Sequence, residues 1–186
     1  MNKTHKIILP IIAVFFGLFF GWSTSSAETI EKLTEQLLQV ESLPSGTVFQ
    51  LVLTDDDATS AAKESLVRYM DDIQMLIQQS AGINLDVSDP QIEFDENFLI
   101  VSIRAGFGAF KVNISASGTV LWDKEASAIK VDIKSVDIPV ISVDPSTVNS
   151  YIEGPINEFV QDLMRGYEIR SFEIKDDYAV VEAMKK

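Results

Sequence analysis

The chain has no cysteine and a single histidine, His5, among 186 residues. Without thiols there is no disulfide framework, no thiolate metal site and no cysteine nucleophile. Basic residues are also scarce. Fifteen Lys and Arg stand against 28 Asp and Glu, for a formal net charge of −13. That balance argues against a nucleic-acid-binding surface, which needs clustered cations to neutralise phosphates. What the chain does have is 46% hydrophobic residues. That content suits a packed core and excludes a disordered or collagen-like chain. The length fits one ordinary domain with an appendage. No internal repeat and no low-complexity segment interrupts it.

The appendage is at the start. Lys3 and Lys6 precede an apolar run of 16 residues at 7–22, and 23–27 are small or polar, ending Ser25-Ser26-Ala27. This is the layout of a secretory signal peptide over residues 1–27. An uncleaved membrane anchor is the competing reading, because 16 apolar residues fall just short of a spanning helix. Both readings place the remainder outside the cytoplasm, secreted or in the cell envelope. Cleavage after Ala27 removes Lys3, His5 and Lys6 but no acid, leaving 159 residues at a net charge of −15. Neither histidine nor cysteine then remains, which excludes Ser-His-acid triads, Cys-His pairs and imidazole metal sites.

Residues 28–42 have Ile30, Leu33, Leu37 and Val40 at helical spacing, and Leu43-Pro44-Ser45-Gly46 breaks the pattern. We therefore read 28–46 as an N-terminal amphipathic helix and linker. The main domain spans 47–186. It opens with a strand at 47–53, rich in β-branched and aromatic residues. Thr54-Asp55-Asp56-Asp57 follows, and two readings fit it. A Thr54 cap with Asp57 reaching back explains every residue by helix physics. A calcium loop would need alternating ligands and a glycine turn, which this spacing lacks. A long helix is expected over 58–80, with Ala58, Ala62, Leu66, Tyr69, Ile73, Leu76 and Ile77 in one stripe flanked by Ala61, Met70 and Met75.

From Asp86 the hydrophobic period becomes two. Asp89-Pro90 reads as a turn, 91–94 as a short strand and 95–97 as a hairpin tip. Strands follow at 98–105, 109–122 and 128–136. Phe110, Val112, Ile114, Ala116 and Val120 alternate with Lys111, Asn113, Ser115 and Ser117, and Ile129, Val131 and Ile133 with Lys130, Asp132 and Lys134. This pattern describes an antiparallel meander with one covered and one wet face. Asp144-Pro145 starts a second helix, with Val148, Ile152, Ile156, Phe159, Val160 and Leu163 as its stripe and an interruption at Gly154-Pro155. A final hairpin turns at Asp176-Asp177. Grouped strands with helices on one face make an α+β domain.

No catalytic constellation appears, so binding without chemistry is expected, with no cofactor and no metal site. Gly106-x-Gly108 lacks the third glycine and following helix of a dinucleotide fingerprint. Asn113-Ile114-Ser115 matches a glycosylation pattern but falls mid-strand. With 28 acids, carboxylate pairs are inevitable and discriminate nothing. Charge is uneven, however. Residues 28–100 hold 15 acids and 3 bases, whereas residues 104–134 hold 3 acids and 5 bases. The meander is thus locally basic, either as an ordinary solvated face or as a patch that meets anionic lipid headgroups.

Certain segments resemble a known family. Phe49-Gln-Leu-Val-Leu-Thr54 entering an Asp-capped helix is similar to the start of LmeA-type and YpmS-type bacterial envelope proteins. So is Ser88-Asp-Pro-Gln-Ile-Glu-Phe94 leading into Phe98-Leu-Ile-Val101. The likeness extends to Ile156-Asn157, to residues 167–174 and to Asp176-Asp177-Tyr178-Ala-Val-Val181. An Asp-Gly tip of the family is Asp-Asp here. The resemblance covers roughly 47–183 and implies a TULIP-like fold, a curved antiparallel meander wrapped on two long helices. It also implies an extracytoplasmic lipid-binding or lipid-shuttling protein that holds acyl chains between sheet and helices.

The residues expected to line such a slot are Leu66, Met70 and Ile73 on the first helix, Phe110, Val112, Ile114, Val131 and Ile133 on the meander, and Ile152, Phe159 and Val160 on the second helix. Small residues Ala58, Ala61, Ala62, Ala105, Ala116 and Gly118 would leave the space. The expected partners are a lipid or other acyl-chain ligand and a membrane surface, not nucleic acid. The same residues fit a second reading, a non-enzymatic envelope module with a filled core that meets a protein partner through its surface.

Overall fold

The computed structural model describes residues 35–36, 38–81, 86–107, 110–139, 144–146, 149 and 166–186. Residues 1–34, and with them the signal-peptide or anchor reading, lie outside this set. So do 37, 82–85, 108–109, 140–143, 147–148 and 150–165, which include Leu37, Val148, Ile152, Ile156, Phe159, Val160, Leu163 and the Gly154-Pro155 interruption. Among the described residues no helix is long and apolar enough to cross a membrane.

The architecture is α+β, built on two antiparallel sheets, and neither closes into a barrel among the described residues. In chain order the elements are β1 (Val48–Thr54), helix α1 (Asp55–Ala81), β2 (Asp86–Asp95), β3 (Phe98–Phe107), β4 (Phe110–Asp123), β5 (Ala128–Asp137), β6 (Tyr167–Lys175) and β7 (Tyr178–Lys185). The meander forms a four-stranded sheet in the order β2-β3-β4-β5, and the other three strands form a sheet in the order β1-β7-β6. The second expected helix begins as read from the sequence. Ser146 N–H donates to Asp144 Oδ1 at 3.0 Å, and residues 145–146 and 149 are helical.

Helix α1 starts where β1 stops because Thr54 and Asp57 form a capping box. Asp57 N–H donates to Thr54 Oγ1 at 3.2 Å, while Thr54 N–H and Oγ1–H donate to Asp57 Oδ2 at 3.5 and 2.7 Å. The three aspartates of the first turn also lie at the positive end of the helix dipole. From there α1 runs along β2 and covers its free edge. Ile92 N–H donates to Thr59 Oγ1 at 2.9 Å, and the same hydroxyl donates to Ile92 O at 3.1 Å. Phe94 N–H donates to Asp55 Oδ1 at 2.8 Å. Two side chains thus satisfy backbone groups that an edge strand would otherwise offer to another chain. The opposite edge receives a similar bond, from Ile133 N–H to Asn149 Oδ1 at 2.8 Å.

The two sheets meet through their hairpin tips. Asp177 N–H donates to Phe94 O at 3.0 Å, Asn97 N–H to Ile174 O at 3.2 Å, and Asp55 N–H to Asp177 O at 3.0 Å. Glu96 N–H donates to Asp176 Oδ1 at 3.2 Å. The first two bonds have the antiparallel pattern, so β6 descends to the junction as β2 rises to it. Asn97 and Asp177 take φ of +75° and +71°, a region that Asn and Asp tolerate better than other non-glycine residues. The departure from Asp-Gly to Asp-Asp is accommodated at this φ.

The strand readings need one correction, at Asp89-Pro90, and two other places carry a bulge of the same kind. Asp89-Pro90 is not a turn before a short strand. It is a bulge inside a ten-residue β2, where the register passes from Ser88↔Arg104 to Gln91↔Ser102. Asp89 takes φ +52° there, and Arg104 Nη1 holds its carboxylate at 2.7 Å. Further register shifts fall between Ser117 and Gly118 opposite β5, and between Ile169 and Ser171 in β6. A bulge inserts an unpaired residue and switches which parity faces inward. The sequence changes parity at the same places: Val87 to Pro90, Ile133 to Val136, and Ile169 to Phe172. Each bulge keeps the apolar set on one face.

Candidate functional site

The candidate site is this common inner face. On β4, Ile114 is fully buried and Ala116 and Val120 nearly so. They pack with Val101, Ile103 and Ala105 of β3, Val87, Ile92 and Phe94 of β2, and Ile129 and Val131 of β5. Helix α1 contributes Ala58, Ala62 and Leu66 to the same cluster. The face continues past the junction. Ile174 and Ala179 of the second sheet belong to this cluster, with Leu53 and Phe172 packed against it. Farther along, Phe49, Leu51 and Ala183 pack with Val40, and Leu43, Tyr167, Ile169 and Val181 adjoin them. Phe49 and Tyr167 meet edge to face with centroids 5.4 Å apart.

Val40 belongs to a short helical stretch at 38–41 that docks on this far end. Lys185 Nζ donates to Leu43 O at 2.8 Å and to the carbonyls of Val40 and Glu41. A lysine there satisfies the free carbonyls at a helix C-terminus. The described part of the 28–46 segment is therefore joined to the sheet.

The sequence-predicted lining residues separate into groups. Leu66, Ile114 and Val131 are in the core, with Met70, Val112 and Ile133 partly buried against it. Phe110 differs: it is 77% exposed. It has the inward parity of β4 but sits on the terminal pair of the β3–β4 ladder, Phe107↔Phe110, beyond the packed region. The side chain of Ile73 is outside the described set, as are those of Tyr69, Leu76 and Ile77, together with residues Ile152, Phe159 and Val160. Met75, read as flanking the apolar stripe, is 55% exposed.

Gly118 also requires a correction. It leaves no space on the inner face. A Cβ placed there would lie 2.7 Å from Asp132 O and 2.8 Å from Ile133 Cα. The β5 backbone at the bulge occupies that volume, so glycine is required by close approach. Ala58, Ala61, Ala62 and Ala105 are at most 3% exposed, which lets α1 lie close to the sheet. Sequence reasoning missed the inner face of the three-stranded sheet. Its signal was available: residues 167–174 and 179–183 show the same alternation, once the extra residue at Arg170 is allowed for.

Among the described residues the Tyr167 phenol adjoins the cluster at the far end of the inner face. Trp122 Nε1 is buried without a hydrogen-bond partner among the described residues, as is Glu64 Oε2 on α1. The titratable groups with shifted pKa values lie outside the clusters. Desolvation raises that of Asp55, the Phe94 N–H opposes the rise, and Asp177, Glu93 and Asp56 add to it. Hydrogen bonding from Lys130 lowers that of Asp123, and hydrogen bonding to Glu173 raises that of Lys175. Among the described residues no group of three or more His, Cys, Asp or Glu is placed to hold a metal ion.

No family model matches this chain, and no curated protein is significantly similar to it.

Proposed function

We propose that this chain is an extracytoplasmic lipid-binding or lipid-shuttling protein that holds acyl chains against the inner face of its sheets and performs no chemistry of its own. The observation that carries the reading is the extent and uniformity of that face. It runs through seven strands in two sheets, and three bulges keep it apolar wherever the sequence changes parity. An apolar surface of this kind suits a saturated chain, and a ~12-methylene chain buried at ~0.8 kcal/mol per CH₂ gains about 10 kcal/mol gross. Ordering costs reduce the net value. The resemblance to LmeA-type and YpmS-type proteins, with their TULIP-like folds, and the signal-peptide or anchor layout of residues 1–27 support the same reading and its envelope location.

Gentle purification of the full chain followed by native mass spectrometry tests the proposal. A co-purifying lipid mass that is released by organic extraction and restored by adding fatty acid is the expected result. Recovery of bare protein with no uptake of a fluorescent fatty acid would count against it. One observation favours a different reading. Gly118 is filled by the β5 backbone, as expected of a closed core in a module that acts through its surface on a protein partner.

A further inference from the structure

Trp122 sits on β4 with the parity of Ile114, Ala116 and Val120, so its side chain belongs to the inner face. Leu121, on the opposite parity, is 55% exposed. β3 begins at Phe98, opposite Thr119, so the end of β4 runs on past it. Asn97, just before β3, bonds Ile174 of β6, and β4 and β6 touch. Trp122 therefore stands where the inner faces of the two sheets join, and Phe172 and Ile174 of β6 share its cluster. The residue as a whole is only partly buried. Its Nε1, however, is screened from solvent and has no hydrogen-bond partner among the described residues. A buried donor left unpaired costs free energy, and folded proteins keep few of them.

We propose that this N–H is the polar anchor of the acyl site and donates to the uncharged carbonyl oxygen of an esterified acyl chain. The proposal rests on the acyl-binding reading above and adds the chemistry and the place of the ligand's head. An indole N–H can only donate, so its partner must bring an acceptor, which a bare hydrocarbon lacks. Apolar binding sites use a few such polar groups to fix a ligand's orientation. The acceptor is uncharged because a carboxylate brought to Nε1 would be a buried charge facing a neutral donor. Lys130, on the adjacent rung of the β4–β5 ladder, is already paired with Asp123. A carbonyl at the start of the tail meets the N–H at the sheet junction, and the methylenes then continue along the apolar inner face.

The test uses ¹⁵N-labelled full-length protein carrying Trp22→Phe, in which Trp122 gives the only indole N–H resonance. Three probes share one saturated tail length and differ at the head. Monolauroylglycerol has an ester carbonyl, monododecyl glycerol ether has none, and laurate has a charged carboxylate. The ester is expected to bind saturably and to move the indole proton downfield. The ether should bind about three- to tenfold more weakly and shift that proton less, and laurate should also bind more weakly than the ester. Adding Trp122→Phe should equalise the ester and the ether. The indole shift in the Trp22→Phe protein reads the same bond without any change at position 122. Ester and ether binding equally, with the indole proton unmoved, would overturn this inference and leave the acyl-binding reading standing. Laurate binding as tightly as the ester would overturn the uncharged assignment. Failure of all three probes to bind would overturn the acyl-binding reading and this inference with it.

Discussion

Ile114 and Phe110 belong to the same strand and the same face, yet one is fully buried and the other is 77% exposed. Nothing in their chemistry separates them, since both are large and apolar. Position does. Ile114 lies where β3, β5 and the rest of the core cluster surround it, whereas Phe110 lies on the last rung of the β3–β4 ladder. The opposite end of the four-stranded sheet is managed in another way. There Asp55 and Thr59 bond the β2 edge, and two hairpin tips hydrogen-bond each other. One end is therefore sealed by polar bonds, and the other presents hydrocarbon to the outside. The difference shows that the apolar face and the apolar core are not the same thing in this molecule.

Substitutions in the two regions should separate them by size of effect. Ile114→Ala removes a fully buried side chain and is expected to lower stability by about 2–5 kcal/mol. Chemical denaturation would read this as a drop in midpoint at unchanged slope. Gly118→Ala forces a Cβ against the β5 backbone and should cost about 1–3 kcal/mol. An unchanged midpoint would mean that the bulge yields and that the volume is freer than the contacts indicate. Thr59→Val keeps the shape but withdraws both bonds to Ile92, with an expected loss of about 1–2 kcal/mol and faster amide exchange along the β2 edge. Phe110→Ser, at the exposed end, should alter stability by no more than about 0.5 kcal/mol. A large loss there would erase the contrast with Ile114.

The smallest expected effect concerns pH at the sealed end. Asp55 has a raised pKa in the folded protein, chiefly through desolvation. The folded state then holds that proton more tightly than the unfolded chain does. Its contribution to stability is present at low pH and is lost as pH rises through the raised value. Asp55→Asn keeps an oxygen to accept from Phe94 N–H and removes the charge facing Asp177, Glu93 and Asp56. The variant should show a shallower decline in melting temperature than the parent as pH rises from the acid range toward neutrality. Parallel curves for the two proteins would assign the pH response to other groups.

Much of this arrangement is legible in the sequence. The order of strands and the long helix follow from the period change at Asp86, and the capping box at Thr54 and Asp57 follows from residue types alone. Periodicity fails in two specific ways. It reports which side of a strand a residue takes but not how far the core extends, so Phe110 reads like Ile114. It also treats an off-parity residue as the end of a strand, so the Asp89-Pro90 bulge reads as a turn. Gly118 illustrates a third limit. A missing side chain looks like empty space in a sequence, but whether another backbone fills it depends on the β5 register. The meeting of the two sheets through Phe94, Asn97, Ile174 and Asp177 is set by tertiary geometry and leaves no local pattern.

The central claim, that acyl chains lie along the inner face, can be read from Trp122. This residue packs against the core from β4, and Trp22 is the only other tryptophan in the chain. In a full-length Trp22→Phe variant, emission therefore comes from Trp122 alone. Titration with a fatty acid brominated along its chain should quench that emission saturably, and an excess of the unbrominated acid should reverse the quenching. Emission that stays unchanged while the fatty acid is shown to bind elsewhere, or not to bind at all, would contradict the claim and leave the inner face as a filled core.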